Sequence, residues 1–276
     1  MKIFLTGGSG FVGKQFIKEA LKQRHIIYAV SRRKIKSRKN LTWLRGDLDK
    51  DWSSYLKKSN ILIHMAAAGV NKNISLRDAI ISNVIKPYKL LINALNSKCN
   101  NWLIIGSASE YGKQAEKRRP LSINTKELPE TNYEVSKYFF TRLSIYLSSK
   151  FKIKCRVMRL FNVYGKGENK KRLFPSIIRA IKLNKDLQVT NGEQIRDFIR
   201  VDKVAKILLS SINFENKKKF PQIWHLASGK PISVKFFALK NWKKFSSKKK
   251  ISFKIKKNAL NRNYFSEKKS IWKIKL

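Results

Sequence analysis

A glycine-rich turn near the amino terminus joins an apolar run to a segment with helical spacing. The run Ile3–Leu5 predicts a short buried strand, and the apolar residues between positions 11 and 21 recur at the period of an amphipathic helix. Gly7, Gly10 and Gly13 lie between the strand and the helix in the spacing Gly-x-x-Gly-x-x-Gly. This order limits the fold strongly, because three glycines at a helix start are needed only where backbone approaches backbone or a ligand.

Each of the three glycines has its own physical reason. Gly7 lets the chain turn sharply, Gly10 lets the backbone approach a pyrophosphate, and Gly13 lets the helix pack close to the strand. The helix start offers free N–H groups and the positive end of the helix dipole, both of which favour phosphate. The turn predicts a dinucleotide site, and a purely structural glycine turn is the alternative.

Strands and helices alternate along the rest of the chain, which predicts an α/β fold with a doubly wound parallel sheet of the Rossmann type and about seven strands. We expect a nucleotide-binding domain over residues 1–165 and a smaller substrate-binding part over 166–276, of which 202–227 return to the sheet. A helix over 75–96 is expected to kink at Pro87. Ligands of such sheets lie at the carboxyl ends of the strands. Polar or small residues follow the predicted strands at Thr6, Ser31, Ala66, Ser107 and Asn162.

The charge of the chain is unusually positive. Its 276 residues include 62 Lys and Arg against 17 Asp and Glu, a net charge of +45, while 42% are hydrophobic. The hydrophobic content predicts a packed core, and the cations are scattered, which favours a compositional trend over a nucleic-acid surface. A polyanion-binding surface remains the alternative.

Two cysteines, Cys99 and Cys155, exclude a disulfide framework and provide no metal-ligand cluster. We expect no metal. No stretch reaches the roughly 18 apolar residues of a membrane span, and the chain begins directly with strand and turn. We therefore expect a cytoplasmic protein that does not contact membranes.

The residues after the second predicted strand, His25–Val30, bear on which cofactor is bound. An NAD site usually places Asp or Glu here, whereas this chain has Ser31, Arg32 and Arg33. Guanidinium groups bind phosphate with paired hydrogen bonds, so we expect NADP, with NAD as the second choice. Asp47, after the third strand, either accepts a hydrogen bond from the adenine amino group or caps a turn.

A candidate acid/base site follows the fifth predicted strand, Trp102–Ile105. Tyr133 and Lys137 are four residues apart on a predicted helix and share one of its faces. A phenol has a pKa near 10, and a nearby ammonium is expected to lower it towards neutrality. Ser107, at the end of a neighbouring strand, can bind the same substrate oxygen. This set suits proton transfer coupled to hydride transfer by a nicotinamide.

Six stretches occur in the order typical of one enzyme family: 6–13, 64–67, 107–112, 133–137, 159–165 and 196–202. The chain resembles the extended short-chain dehydrogenase/reductases, in the nucleotide-sugar epimerase/dehydratase group. Residues 83–87 and 192–197 also resemble CDP-sugar 4-keto reductases of the abequose type. The resemblance implies a homodimer that pairs through the helices holding Asn83 and Tyr133.

The resemblance also assigns roles by position. It implies that Ser107, Tyr133 and Lys137 are catalytic, and that Asn162 and Arg196 grip the phosphates of a nucleotide sugar, with Ser107 also touching the substrate. An ion pair from Arg196 to Asp197 or Asp202 is the alternative. The implied cofactor-binding set is Gly7, Gly10, Phe11, Val12, Ser31, Arg32, Asp47, Leu48, Ala66, Ala67, Tyr133 and Lys137.

One departure from the family pattern limits which reactions are expected. Dehydratases of the family follow the catalytic hydroxyl residue with Asp-Glu, whereas Ala108 and Ser109 follow Ser107 here. The expected activity is therefore 4-keto reduction or C4 epimerisation of a nucleotide-linked sugar. An NAD-retaining UDP-sugar 4-epimerase is one alternative, and a non-catalytic RNA-binding protein of the same fold is another.

Overall fold

Strands and helices alternate as the sequence predicts. The computed structural model of the chain describes residues 1–70, 73–117, 119–190, 192–214, 219–244, 249–254 and 262–273. The strands are β1 (Lys2–Thr6), β2 (Ile26–Ser31), β3 (Leu41–Arg45), β4 (Ile61–His64), β5 (Asn101–Ser107), β6 (Lys154–Leu160), β7 (Asn162–Tyr164), β8 (Leu187–Thr190), β9 (Ile195–Arg200), β10 (Gln222–Leu226), β11 (Pro231–Ser233) and β12 (Ile251–Lys254). The α-helices are α1 (Phe11–Lys22), α2 (Ser53–Leu56), α3 (Leu76–Ile80), α4 (Lys86–Asn96), α5 (Asn132–Lys150), α6 (Leu173–Lys182), α7 (Val201–Ser210) and α8 (Val234–Lys244).

The central sheet confirms the doubly wound prediction. Its seven strands pair in the order β10-β6-β5-β4-β1-β2-β3, and every pair is parallel. The strand order reverses beside β1, between β2 on one side and β4 on the other. A crevice opens at such a reversal, beyond the carboxyl ends of the strands, and it is where ligands of these sheets bind.

The core lies on both faces of this sheet. Alternation along β1 sends Ile3 and Leu5 to the face covered by α1 and α7, and Phe4 to the face covered by α4 and α5. Both faces are buried, as expected of parallel strands whose crossover helices cover them. The carboxyl edge is the part of the sheet that these helices leave open.

The later part of the chain builds two small sheets beside that edge. One has the order β11-β9-β7 and the other pairs β12 with β8. Helices α6 and α8 pack together through Ile177, Ala180, Ala238 and Trp242. Two elements that lie between β9 and β11 in the chain belong to the central sheet instead. Helix α7 packs on α1, and β10 pairs with β6.

The helix expected over 75–96 is interrupted by a π-helical segment just before Pro87. Residues Ile81–Ile85 are π-helical and connect α3 directly to α4. Pro87 lacks an N–H and would leave an α-helical hydrogen bond unmade, and a π segment is a recognised way to absorb such a defect. Asn83 lies in this segment, and its amide nitrogen donates to the Ala68 carbonyl and to the Ser136 hydroxyl, both at 3.0 Å. The irregular helix thereby ties the loop after β4 to α5.

The last described segment, 262–273, lies across both parts of the fold. Tyr264 exchanges backbone hydrogen bonds with Ile195 and Asp197 on β9, and the Trp272 N–H donates to the His225 carbonyl on β10. Among the described helices, none is long and apolar enough to cross a membrane.

Candidate active site

The glycine turn after β1 is packed too tightly for side chains. Gly7 has a φ of +74°, and a Cβ there would lie 2.6 Å from the backbone of Met65 and Ala66. A Cβ on Gly13 would lie 2.2 Å from the Gly7 carbonyl oxygen. The turn is therefore held between the loop after β4 and the first turn of α1.

The start of α1 presents backbone donors to the crevice. The Gly10 N–H bonds the Gly7 carbonyl at 3.0 Å, and no side chain caps the helix. The first N–H groups of an uncapped helix need an external acceptor. Phe11 and Val12 carry such groups, and an anionic dinucleotide fits the turn.

The ends of β2 and β3 form a cationic pocket around one carboxylate. Asp47 accepts the Leu48 N–H at 2.8 Å and pairs with the Lys86 ammonium at 2.5 Å. Burial raises the pKa of Asp47, but the bonds from Lys86 and Leu48 and the charge of Arg32 outweigh it, and the pKa is lowered. Ser31 accepts the Arg33 N–H at 3.1 Å. Lys86 was missed by sequence reasoning, because it comes from a helix 39 residues away.

The loop after β4 brings Ala66 and Ala67 to the same edge. Thr6 bonds the His64 ring at 2.8 Å and accepts the Ala66 N–H at 3.4 Å. Burial, and next the charge of Lys137, lower the pKa of His64 to about 3, so this histidine is neutral. His64 belongs to the core, and the loop beyond it faces the crevice.

Ser107, Tyr133 and Lys137 converge where β5 ends beside the start of α5. The Ser107 side chain lies close enough to the Tyr133 phenol to lower its pKa, and the Ser107 hydroxyl is bonded to the Ser109 hydroxyl at 2.7 Å. The Lys137 ammonium is buried one turn further along α5 and donates to the Ile105 carbonyl at 2.7 Å. The Thr131 hydroxyl accepts from the Glu134 N–H and caps α5, which fixes the turn that carries Tyr133.

The phenol of Tyr133 is held protonated. Burial raises its pKa to about 12, the nearby Ser107 side chain lowers it, the charge of Glu110 raises it, and the charge of Arg172 lowers it. The sequence predicts Lys137 as the cation that lowers this pKa, but here Arg172 is that cation. The reason is geometric, because the Lys137 ammonium is bonded to a backbone carbonyl and its own pKa is lowered by burial.

Arg196 is a half-buried cation without a carboxylate partner in the described part of the chain. Its guanidinium lies 5.0 Å from the centroid of the Tyr264 ring. The alternative ion pairs are absent, because Asp197 accepts the N–H groups of Ser228 and Gly229, while Asp202 is paired elsewhere. Burial lowers the pKa of Arg196 to about 10. Asn162 begins β7, directly opposite β9.

The loop between β7 and α6 adds residues that sequence reasoning missed. The Oε2 atom of Glu168 is buried and has no hydrogen-bond partner among the described residues. A Cβ on neighbouring Gly167 would lie 3.8 Å from the Phe11 ring, which places this loop over the start of α1. Arg172 donates to the Val70 carbonyl at 3.4 Å. Arg172 directly precedes α6, and no local sequence pattern singles it out.

Comparison with known proteins identifies the family of the chain. Residues 3–227 match the NAD dependent epimerase/dehydratase family. CDP-abequose synthase of Salmonella typhimurium is 30% identical over 246 residues, which cover 85% of this chain and 78% of that protein. GDP-6-deoxy-D-talose 4-dehydrogenase of Aggregatibacter actinomycetemcomitans is 28% identical over 221 residues, or 77% and 70% of the two chains.

Solved structures share the fold. The UDP-glucuronic acid 4-epimerase of Bacillus cereus, in complex with UDP-glucuronic acid and NAD, matches with a TM-score of 0.81 at 21% identity over 99% of this chain and 90% of that one. The UDP-glucose 4-epimerase of Thermus thermophilus, in complex with NAD, matches with a TM-score of 0.80 at 16% identity over 100% and 94%.

Glu168 makes the stability of the protein depend on pH. Burial raises its pKa from 4.5 to about 7, against smaller opposing effects of Gly165 and Arg172. Its favourable contribution to stability is complete below pH 4.5 and is lost as the pH rises through 7, because the unfolded carboxyl releases its proton first. We expect Glu168→Gln to gain stability relative to the parent chain across that window. Urea unfolding at a series of pH values measures the free energy of unfolding. Glu193→Gln, which replaces an exposed carboxyl, is the control. If the free energies of Glu168→Gln and of the parent chain depend on pH in the same way, the raised pKa of Glu168 is contradicted.

Proposed function

The chain belongs to the NAD dependent epimerase/dehydratase family, and on that basis we propose that it reduces the 4-keto group of a nucleotide-linked sugar with NADPH. It is an NAD(P)-dependent enzyme of nucleotide-sugar metabolism. Two of its relatives are a CDP-abequose synthase and a GDP-6-deoxy-D-talose 4-dehydrogenase, whose names also point to sugar nucleotides. C4 epimerisation by an NAD-retaining enzyme is the second candidate.

The observation that carries the proposal is the buried, protonated phenol of Tyr133 beside the Ser107 side chain. Its pKa of about 12 keeps the proton on the phenol at neutral pH. Reduction of a ketone requires a proton donor at the carbonyl oxygen, and a neutral phenol is one. The reverse oxidation uses the same phenol, once deprotonated, as its proton acceptor, so the protonated resting form favours reduction as the first step.

The bound nicotinamide supplies the hydride, and the chain supplies the proton and the positioning. Tyr133 donates its proton to the sugar oxygen, and Ser107 binds the same oxygen. Lys137 holds the nicotinamide ribose and braces β5 through the Ile105 carbonyl. Asn162 and Arg196 hold the diphosphate of the substrate, a role that suits a cation with no carboxylate partner among the described residues.

A dehydratase is disfavoured by the local chemistry after Ser107. Removal of water from the sugar needs an accessible acid and base, and Ala108 and Ser109 provide neither. The next carboxylate, Glu110, is fully buried and paired with Arg159 at 3.0 Å. It is therefore not free to exchange protons with a substrate.

The proposal includes the organisation and location of the protein. Residues 1–165 would bind the cofactor and 166–276 the substrate, with 202–227 returning to the sheet. A cytoplasmic location fits the free, buried thiols of Cys99 and Cys155. The +45 charge is spread over the chain, so we do not propose a nucleic-acid partner.

Tyr133→Phe tests the acid/base assignment. We expect kcat to fall by about 10²- to 10⁴-fold, the usual contribution of a positioned acid, while NADPH binding is retained. Nicotinamide absorbance with a panel of 4-keto nucleotide sugars measures turnover, and Tyr138→Phe, on the same helix, is the matched control. Turnover near that of the parent chain would refute the assignment, and salt-sensitive RNA binding that survives the change would favour the non-catalytic alternative.

The choice of NADP rests on Arg32 and Arg33, next to a pocket where Lys86 already neutralises Asp47. We expect Arg32→Ala to weaken NADPH binding about tenfold, or about 1.4 kcal/mol, and to leave NADH binding unchanged. Fluorescence titration with both cofactors measures this, with Arg38→Ala as control. Equal losses for both cofactors would contradict the NADP assignment, and NAD retained through purification would favour the epimerase.

The homodimer proposal rests on an exposed apolar groove between α4 and α5. Its lining includes Tyr88, Ile92, Leu143, Tyr146 and Phe151, and Tyr146 is 57% exposed. Contiguous apolar residues on a helix face are typical of an interface. A second copy of the same face would bury them symmetrically.

Tyr146→Glu should convert the dimer to a monomer, because each interface would then bury two carboxylates. Sedimentation equilibrium measures the mass. Phe236→Glu, at a side chain that is 54% exposed on α8, is the control and should stay dimeric. A Tyr146→Glu protein that remains a dimer would exclude this face as the interface.

A further inference from the structure

Residues 262–273 lie outside the part of the chain that matches the family, yet they touch both halves of the candidate site. We propose that its first residues, Arg262–Ser266, form a clasp that positions the turn bearing Tyr133 against Arg196. The proposal rests on the proposed function. Arg262 and Tyr264 are positioning residues in it, since neither is placed against the reacting atoms.

Arg262 forms ion pairs at the beginning of α5. Its side chain is only 4% exposed, and one of its Nη atoms bonds the Glu134 carboxylate at 2.5 Å, while the other pairs with Glu130. A third carboxylate, Glu116, lies 3.6 Å from its Nε. Three acids meet at one arginine in a chain that has only 17 Asp and Glu.

Glu134 connects Arg262 to the backbone at the start of α5. Its other carboxylate oxygen accepts the backbone N–H groups of Glu130 and Thr131, at 3.0 and 3.1 Å. The same residue therefore caps α5 and binds Arg262, and it directly follows Tyr133. Arg262 thus fixes the orientation of the first turn, from which the phenol projects.

The other end of the clasp holds β9. The Asn263 side chain accepts the Ile195 N–H at 2.8 Å, and the Tyr264 carbonyl accepts the Asp197 N–H at 2.8 Å. The residue between these two partners is Arg196, whose guanidinium stacks on the Tyr264 ring. The segment therefore supports the proposed acid and the proposed phosphate-binding cation at the same time.

A guanidinium is needed because of its shape as well as its charge. Its planar fork reaches two carboxylates in fixed directions, whereas an ammonium is a point charge on a flexible stem. A merely structural cation would be replaceable by lysine at this position. A positioning arginine would not be, because the direction of the helix start would change.

The experiment compares Arg262→Lys and Arg262→Ala with the parent chain. We expect Arg262→Lys to lower kcat at least about tenfold with NADPH binding unchanged, and guanidinium ion to restore part of the loss in Arg262→Ala. Tyr264→Leu should instead raise KM for the nucleotide sugar about tenfold and change kcat little. Lys269→Ala, which removes an exposed ion pair of the same segment, is the matched control.

Hydrogen exchange separates this inference from the proposed function. In Arg262→Lys the amides of the first turn of α5 should exchange at least about tenfold faster, with those of β4 and β5 unchanged. Unchanged exchange at that turn, or full activity of Arg262→Lys, would overturn the clasp. If the parent chain turns over no nucleotide sugar, the proposed function is refuted. Faster exchange at that turn in Arg262→Lys would still support the clasp in that case.

Discussion

The buried ion pair between Glu110 and Arg159 is the interaction on which the geometry of the site depends. Both side chains are fully buried, one Glu110 oxygen accepts the Arg159 Nε at 3.0 Å, and the other accepts the Ser107 N–H at 2.7 Å. Arg159 also donates to the Tyr111 hydroxyl at 2.7 Å. Removing one member of such a pair leaves an uncompensated charge and costs about 3–5 kcal/mol. The end of β5, and the hydroxyl of Ser107 with it, therefore has one position relative to β6.

The same carboxylate contributes to the electrostatics of the candidate acid. Glu110 opposes ionisation of Tyr133, while Ser107 and Arg172 favour it, and burial decides the balance by raising the pKa to about 12. A protonated phenol, together with a guanidinium that no described carboxylate neutralises, suits the reduction of a substrate that carries a diphosphate. The buried phenol and the unneutralised guanidinium come from different parts of the chain, and both favour the reduction of a nucleotide sugar.

The parts of the fold that the sequence could predict are those set by local physics. The glycine turn, the strand ends at Thr6, Ser31 and Ser107, and the helix that starts before Tyr133 are each encoded within a few neighbouring residues, and the structure has them. The parts that were missed involve partners far apart in the chain. Lys86 meets Asp47 across 39 residues and Arg262 meets Glu134 across 128, and no local pattern specifies such pairs.

The sequence by itself determined the α/β alternation, the dinucleotide turn and the spacing of Tyr133 and Lys137, because steric limits on glycine and the two periods of apolar residues act over short stretches. Only the tertiary structure decided which charges meet. It turned Lys137 towards a backbone carbonyl, placed Arg172 as the cation acting on Tyr133, left Arg196 without an acid among the described residues, and folded Arg262 under α5. The physical reason is that the free energy of a buried charge depends on every neighbour that replaces water around it, and those neighbours come from the whole chain.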